Sequence, residues 1–270
     1  MNQLPRKSRP GPRSALACVV VLALGGSVAR AQTAEEVAAA NNPLARVNAI
    51  NLHNFYAPSI YGAPNATVND FLIQPVFARP RMVFHVTLPL ATVSGGSVNQ
   101  SGLGDLNIFG AYLLPPKGRT EFGVGPVIVF PTATGEALGA GKWQAGVTVV
   151  VVAQPEPTFL VGGFLSYAHS FANGDSVQRT GVNALIFKPI LVAQVGGGWY
   201  LRSTGIWSFD LEQGGWSVPF GIGAGKVVRT PHAVLNFFLE PQFTVIHDGA
   251  DQPALQVLAG LNMQFPKALR

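Results

Sequence analysis

The last stretch of the chain, residues 254–265, alternates apolar and polar side chains with a period of two. One face carries Leu255, Val257, Ala259, Leu261, Met263 and Phe265, and the other carries Gln256, Gly260, Asn262 and Gln264, with Leu258 as the apolar exception. This period predicts a β-strand whose two faces meet different surroundings. If this strand belongs to a sheet, the strands beside it should show the same alternation.

The N-terminus has the pattern of a secretory signal. A basic start is followed by an apolar run over residues 15–24 and by Ala29-Arg30-Ala31, a small-x-small cleavage site. We predict that residues 1–31 are a signal peptide and that the mature chain starts at Gln32. The apolar run is too short to cross a bilayer of about 30 Å as a helix, which favours a cleaved signal over a membrane anchor.

Cleavage changes the charge balance. The full chain has 18 Lys and Arg against 13 Asp and Glu, and the signal removes five basic residues and no acidic ones, which leaves 13 of each sign. The mature chain is formally neutral, so charge gives no reason to expect a nucleic-acid partner. The one cysteine, Cys18, lies in the signal, so no disulfide framework is expected.

Charged residues make up only 11% of the chain, against about 25% in typical soluble domains. No mature segment has 18 consecutive apolar residues, which excludes a membrane-spanning helix. Low charge without such a helix leaves two fold classes: a transmembrane β-barrel or an unusually apolar secreted β-sandwich.

A short helix is expected before the strands begin. Thr33 and Glu36 have capping-box spacing, which predicts a helix over residues 34–40. We therefore divide the chain into a signal (1–31), a short N-terminal helical segment (32–48) and a β-barrel (49–270). The predicted strands are 50–59, 69–79, 81–90, 103–115, 120–130, 142–153, 158–169, 180–194, 198–210, 215–228, 232–246 and 254–266.

The linkers between these twelve strands alternate between long and short. The longer ones are 61–68, 91–102, 131–141, 170–179 and 247–253, and only 211–214 is short on that side. Long outer loops, short periplasmic turns and an even strand number are typical of bacterial outer-membrane barrels. We predict an all-β, transmembrane antiparallel β-barrel of about twelve strands with both termini on the periplasmic side of the outer membrane.

Side-chain patterns within the strands support a barrel. In strand 232–246, Leu235, Phe237, Leu239, Phe243 and Val245 oppose Asn236, Glu240, Gln242 and Thr244. The aromatic residues predicted for the interfacial girdles are Tyr112, Trp143, Trp199, Tyr200 and Trp216. Three prolines fall in mid-strand, at Pro75, Pro189 and Pro241, where we expect bulges or local breaks in pairing.

Several charged side chains are predicted to face the lumen. They are Arg81, His85, Glu121, Lys188, Arg202, Asp210 and Glu240. Charges of both signs can line a pore and set its selectivity. They can equally form a buried ion-pair network that fills a narrow barrel. Both interpretations stay open at this point.

The sequence gives no support for catalysis, a metal or a cofactor. Residues 135–143 (GEALGAGKW) resemble a phosphate loop, but Glu136 stands where that motif needs Gly and Trp143 where it needs Ser or Thr. The five histidines lack metal-ligand spacing. His169-Ser170 is the only adjacent pair that could serve an outer-membrane lipid hydrolase, a remote alternative.

Six short segments carry a resemblance to a known family. They are 101–106 (SGLGDL), 130–134 (FPTAT), 138–143 (LGAGKW), 198–201 (GWYL), 216–219 (WSVP) and 223–227 (GAGKV). As a set they resemble the proteobacterial outer-membrane barrels labelled "MetA-pathway of phenol degradation" or simply outer-membrane transporter. The resemblance implies a barrel that passes small solutes, aromatic or apolar ones among them, and implies no catalytic residues.

These observations predict a porin-like protein that is not an enzyme. Its expected partners are outer-membrane lipid, a small-molecule solute and the outer-membrane assembly machinery, which would read Phe265 as a terminal aromatic. The alternative is a structural or binding barrel whose lumen is closed, for which residues 34–40 are the candidate plug.

Overall fold

The computed structural model describes residues 33–63, 65–175, 178–249 and 252–266. The predicted signal peptide and its cleavage site lie outside these residues. Within the described ranges, no helix combines the length and the apolar character needed to cross a membrane.

The described chain consists of one α-helix, one short 3-10 helix and fifteen strand segments. The capping box predicted at Thr33 and Glu36 is present, and helix α1 follows it over Ala34–Asn41. The 3-10 helix covers Glu136–Leu138. The strands are β1 Asn48–Ile60, β2 Thr67–Arg79, β3 Met82–Gly95, β4 Val98–Leu103, β5 Leu106–Leu113, β6 Thr120–Phe130, β7 Lys142–Glu156, β8 Phe159–Asn173, β9 Asn183–Gly196, β10 Trp199–Ser203, β11 Trp207–Asp210, β12 Trp216–Gly221, β13 Gly223–Arg229, β14 Val234–Asp248 and β15 Pro253–Phe265.

The strands form a closed antiparallel barrel of twelve spans. Three spans are interrupted, so that β4 and β5, β10 and β11, and β12 and β13 each make one crossing. The ring closes where β15 pairs with β1 along nearly its whole length, from Asn48 opposite Phe265 to Ile60 opposite Pro253. The predicted twelve-stranded all-β barrel with a short N-terminal helix is therefore confirmed.

The mid-strand prolines coincide with breaks in the hydrogen-bond ladder. Pro75 falls in a gap in the pairing between β2 and β3. Pro189 lies opposite the break between β10 and β11, and Pro241 opposite the break at Ile222. Since proline has no N–H to donate, each leaves one side of its strand unpaired and stays paired on the other. The expected local breaks are confirmed.

The barrel is apolar outside and combines polar and apolar side chains inside. On β14, Leu239 and Phe243 are 54% and 55% exposed, whereas Glu240 and Gln242 are buried. The same alternation places Val147 and Val149 of β7 on the outer surface. An outward apolar face of this kind suits hydrocarbon, so the barrel presents a membrane-facing exterior.

Replacing an outward leucine near the middle of β14 tests this orientation. We expect Leu239→Arg to lower the unfolding free energy by about 2–4 kcal/mol, because Arg then lies in hydrocarbon near the bilayer midplane. Urea unfolding in lipid vesicles measures the change. Val245→Arg, near the end of the same strand, is the matched control and should lose about 0–1 kcal/mol. Equal losses of unfolding free energy at both positions would contradict the placement of Leu239 near the bilayer midplane and of Val245 near its surface.

Two features of the strand faces refine the sequence analysis. Leu258, the apolar exception in the terminal strand, is buried inside the barrel, so the lumen is partly apolar. Tyr200 is also fully buried, and its hydroxyl donates to Asn236 Oδ1 at 2.6 Å. The prediction that Tyr200 belongs to an interfacial girdle is wrong, because its neighbour Trp199 faces outward and successive residues of a strand face opposite sides.

Candidate functional site in the barrel lumen

Residues 33–47, which comprise Thr33, helix α1 and the stretch before β1, form the N-terminal segment. This segment contacts β3, β6, β9, β14 and β15, strands that lie on different sides of the ring. Only a chain inside the lumen can reach all of them. The contacts lie at the strand ends that carry the short turns, so the segment occupies the end of the barrel that is predicted to face the periplasm.

Side chains of the barrel hold the N-terminal segment in place. Three inward amides donate to carbonyls of α1: Gln194 to Ala34 at 2.7 Å, Asn236 to Ala40 at 3.2 Å and Gln264 to Ala39 at 3.4 Å. Asn42 donates to Glu121 at 2.9 Å, His85 Nε2 bonds the carbonyl oxygen of Pro43 at 3.2 Å, and Arg229 forms an ion pair with Glu36.

These tethers are needed because α1 has only 8 residues, too few for an isolated helix in water. The last carbonyls of any helix lack partners within it. Here Asn236 and Gln264 supply donors to two of them. Val37, Ala38, Ala40 and Leu44 are buried against the barrel interior. The helix therefore depends on the barrel around it.

Above the N-terminal segment lies a cavity of about 380 Å³. Its polar lining includes Asn51, His53, Gln74, His85, Thr87, Asn107, Gln144, Thr148, Ser166, Lys188, Arg202, Thr204 and Asn262, and its apolar lining includes Phe109, Val127, Val129, Phe164, Ile186, Ile190, Val192, Ile206 and Phe238. The volume and the mixed lining are those of a small-molecule site, since ligand pockets measure about 300–1,000 Å³.

A buried ion pair lies beside this cavity. Arg202 Nε is 2.8 Å from Glu240 Oε2, and the Arg202 guanidinium also donates to Thr204 Oγ1 at 2.9 Å. Glu240 accepts further bonds from the backbone N–H of Thr204 at 2.7 Å, from Thr204 Oγ1 at 2.8 Å and from Gln242 Nε2 at 3.1 Å. Two carboxylate oxygens offer about four acceptor positions, so Glu240 is saturated.

Aromatic rings continue the network across the lumen. The Arg202 guanidinium carbon lies 3.7 Å from the centroid of the Phe238 ring, a cation–π geometry. The edge of His53 meets Phe238 at 5.2 Å between centroids, and His53 Nε2 is 2.8 Å from Asn262 Oδ1. On the other side of the cavity, Phe109 contacts Phe164 at 6.3 Å. The interior thus has a fixed arrangement of rings and amides.

The structure places the seven predicted lumen residues in three different settings. His85, Lys188 and Arg202 line the cavity, and Glu240 lies buried behind Arg202. Glu121 faces inward at the periplasmic rim, where it holds Asn42. Arg81 and Asp210 lie outside the cavity.

The placement of Arg81 corrects the sequence analysis, whereas Asp210 pairs with Ala184, a cavity-lining residue of β9, and therefore shares the inward face. Strand β2 ends at Arg79 and β3 begins at Met82, so Arg81 belongs to the turn and is exposed at the rim. Asp210 is the last residue of β11, and its carboxylate accepts from the backbone N–H groups of Glu212 and Gln213 at 2.8 and 3.1 Å. It stabilises the following turn. The misplacement of Arg81 arises at a strand end, where the face pattern stops.

Other inward residues were not singled out from the sequence. Asn236, Gln194 and Gln264 hold α1, and Phe109, Phe164 and Phe238 line the cavity. The face pattern does mark Asn236 and Gln264 as inward. Both residues also lie close to the short turns or the C-terminus, and this position in the sequence indicates that they could bind a segment that enters from the same end of the barrel.

Three of the resembling segments, 101–106, 130–134 and 138–143, bind one another in the outer loops. Asp105 accepts from the backbone N–H groups of Ala133 and Gly141, both at 3.0 Å. Thr132 Oγ1 accepts from the N–H of Leu106 at 2.8 Å. The Asp105 carboxylate therefore fixes the Gly-rich loop over residues 135–143. Its negative charge would repel a phosphate group bound by this loop.

The candidate hydrolase pair is not brought together. His169 and Ser170 are successive residues of β8, so their side chains face opposite sides of the sheet. Ser170 Oγ accepts from the N–H of Val182 at 2.9 Å. In the described part of the chain, no three His, Cys, Asp or Glu side chains cluster as metal ligands.

Comparison with known proteins gives matches only among solved structures. No protein-family model matches the sequence, and neither does any curated protein. The COG4313 outer membrane channel from Pseudomonas putida F1 superposes with a TM-score of 0.61 at 14% identity, over 81% of this chain and 94% of that one. The NanC porin superposes with a TM-score of 0.51 at 9% identity, over 80% and 98%.

Identities this low establish the fold alone. Both matched proteins are outer-membrane barrels, a channel and a porin. The closed twelve-span barrel and its apolar exterior agree with them. The chain thus has the fold of outer-membrane channels and porins and belongs in the outer membrane of a bacterium.

Proposed function

We propose that the protein is a channel for the passive passage of small solutes across the outer membrane, aromatic or apolar ones among them. The observation that carries this proposal is the cavity of about 380 Å³ in the lumen, next to a segment that is not part of the barrel wall. Its mixture of amides, charged groups and phenylalanine rings suits solutes that are partly apolar.

The N-terminal segment can leave the lumen without disturbing the barrel. It makes no strand pairing, and its contacts to the wall are side-chain bonds and apolar packing. Each such hydrogen bond contributes only about 0.5–1.5 kcal/mol net. Displacement of this segment would widen the passage at the periplasmic end.

Conductance and swelling measurements test the channel proposal. In planar bilayers, we expect discrete, small single-channel steps from the purified protein. Proteoliposomes should swell faster with small aromatic compounds than with sugars or nucleosides, because the cavity is narrow and partly apolar. A change of gel mobility on boiling verifies the folded barrel. Folded protein that produces neither steps nor swelling, even without its N-terminal segment, would refute the proposal.

A second candidate function is a structural or binding barrel with a closed lumen. The observation that favours it is the N-terminal segment itself, which lies across the periplasmic end. Silence of the full chain in the bilayer, with steps that appear only on removal of the segment, supports this candidate, whereas steps from the full chain that grow on removal support the channel.

A further inference from the structure

Lys188 projects a cation into the cavity and has no partner there. In the described part of the chain, no hydrogen bond or ion pair reaches its ammonium group. The carboxylate of Glu240 interacts with Lys188 electrostatically, but all four of its hydrogen bonds go to Arg202, Thr204 and Gln242. An ammonium group enclosed in protein without a partner is unfavourable.

Besides the Glu240 carboxylate, the surroundings of Lys188 carry further positive charge. Arg202 repels it, and His53 and His85 both lie within electrostatic range of it. Lys188, Arg202 and Glu240 together leave one net positive charge at the cavity. A singly charged anion would balance this charge, whereas a doubly charged phosphate would exceed it.

The side chains next to Lys188 are apolar and partly aromatic. Phe164 is its direct cross-strand partner on β8, and Ile186 and Ile190 flank it on the same face of β9. Phe109 contacts Phe164 at 6.3 Å and stacks with His85 at 5.9 Å. A ligand held at the ammonium group would therefore lay its body against aromatic rings.

We propose that the cavity is a binding site for small organic monocarboxylates with a flat apolar body, with the carboxylate on Lys188 and the body against Phe164, Phe109 and Ile186. This inference rests on the proposed channel function for its purpose, since it names the solute class that the lumen would favour. The binding itself requires no open channel.

Calorimetric titration of the full protein in detergent tests the site, with benzoate as the probe and benzyl alcohol as its neutral counterpart. We expect benzoate to bind more tightly than benzyl alcohol. Lys188→Met should weaken benzoate binding by about tenfold or more, because a charge-assisted hydrogen bond is lost. Benzyl alcohol binding should not change. Lys188→Arg should retain the preference for benzoate.

Lys226→Met is the matched control. Lys226 lies over the outward ring of Trp199 at 4.7 Å, so its replacement removes the same charge outside the lumen. It should leave benzoate binding unaltered, and boiling-dependent gel mobility verifies that each variant is folded. Equal benzoate binding by Lys188→Met and wild type, or no preference over benzyl alcohol, would overturn the site.

Failure of the site and failure of the channel give different results. Lys188-dependent benzoate binding without solute passage in liposomes supports the site and counts against the channel. If solutes pass and benzoate binds equally well without Lys188, the result counts against the site alone.

Discussion

Deletion of residues 33–47 should raise the single-channel conductance several-fold. The N-terminal segment fills the periplasmic end of the lumen, and its removal exposes the inward faces of β6, β9, β14 and β15 to water. The barrel should still form, because the segment contributes no strand pairing to the closed ring. Planar-bilayer recordings of both proteins at the same salt concentration measure the change.

A gentler variant separates loss of the segment from loss of its attachment. Asn236→Leu removes the amide that bonds Ala40 and Asn41, and should produce intermittent steps of the larger conductance. Asn54→Leu is the matched control, since Asn54 lies on β1 and bonds Asn69 rather than the segment. A folded deletion variant with unchanged conductance would show that another part of the chain limits the lumen.

Glu240→Gln should lower the unfolding free energy by about 3–5 kcal/mol, because removal of one partner leaves the buried guanidinium of Arg202 without its counter-charge. The Arg202 side chain is 9% exposed and that of Glu240 is fully buried, so water replaces little of the lost interaction. The substitution keeps the size of the side chain, and no cavity is created. Urea unfolding in lipid vesicles measures the effect.

Glu121→Gln is the control that the chain itself offers. Glu121 also faces the lumen, but it lies at the exposed rim and holds only Asn42, so its replacement should lose no more than about 1 kcal/mol. Adding Arg202→Met to Glu240→Gln should recover much of the loss, since no unpaired cation then remains. Similar losses for Glu240→Gln and Glu121→Gln would show that the ion pair contributes little.

The barrel could be predicted because its evidence is local. A strand that separates lipid from lumen must alternate, and β14 does so from Leu235 to Val245. The alternation of long and short linkers supported the strand number, and the mid-strand prolines indicated where pairing is interrupted. Each of these signals spans only a few residues, so one sequence suffices.

The arrangement of the lumen could not be predicted in the same way. A period of two says that Asn236 faces inward, but not that it bonds Tyr200 and Ala40. Those partners depend on strand stagger and on the path of the N-terminal segment. The hydrogen bonds that this segment makes join residues up to 225 positions apart in the sequence. Strand ends limit the prediction for a related reason, because Arg81 lies where a strand passes into a turn and the side chains no longer alternate between the two faces.

The contacts of the N-terminal segment also set an order for assembly. Gln264, which bonds Ala39, lies on the strand that closes the ring, so the binding site of the helix is complete only after β15 has met β1. Contacts of such long sequence separation form late, because a long loop must be ordered before they are made. The helix, although it precedes every strand in the sequence, therefore docks last, and every newly closed barrel is unplugged until it does.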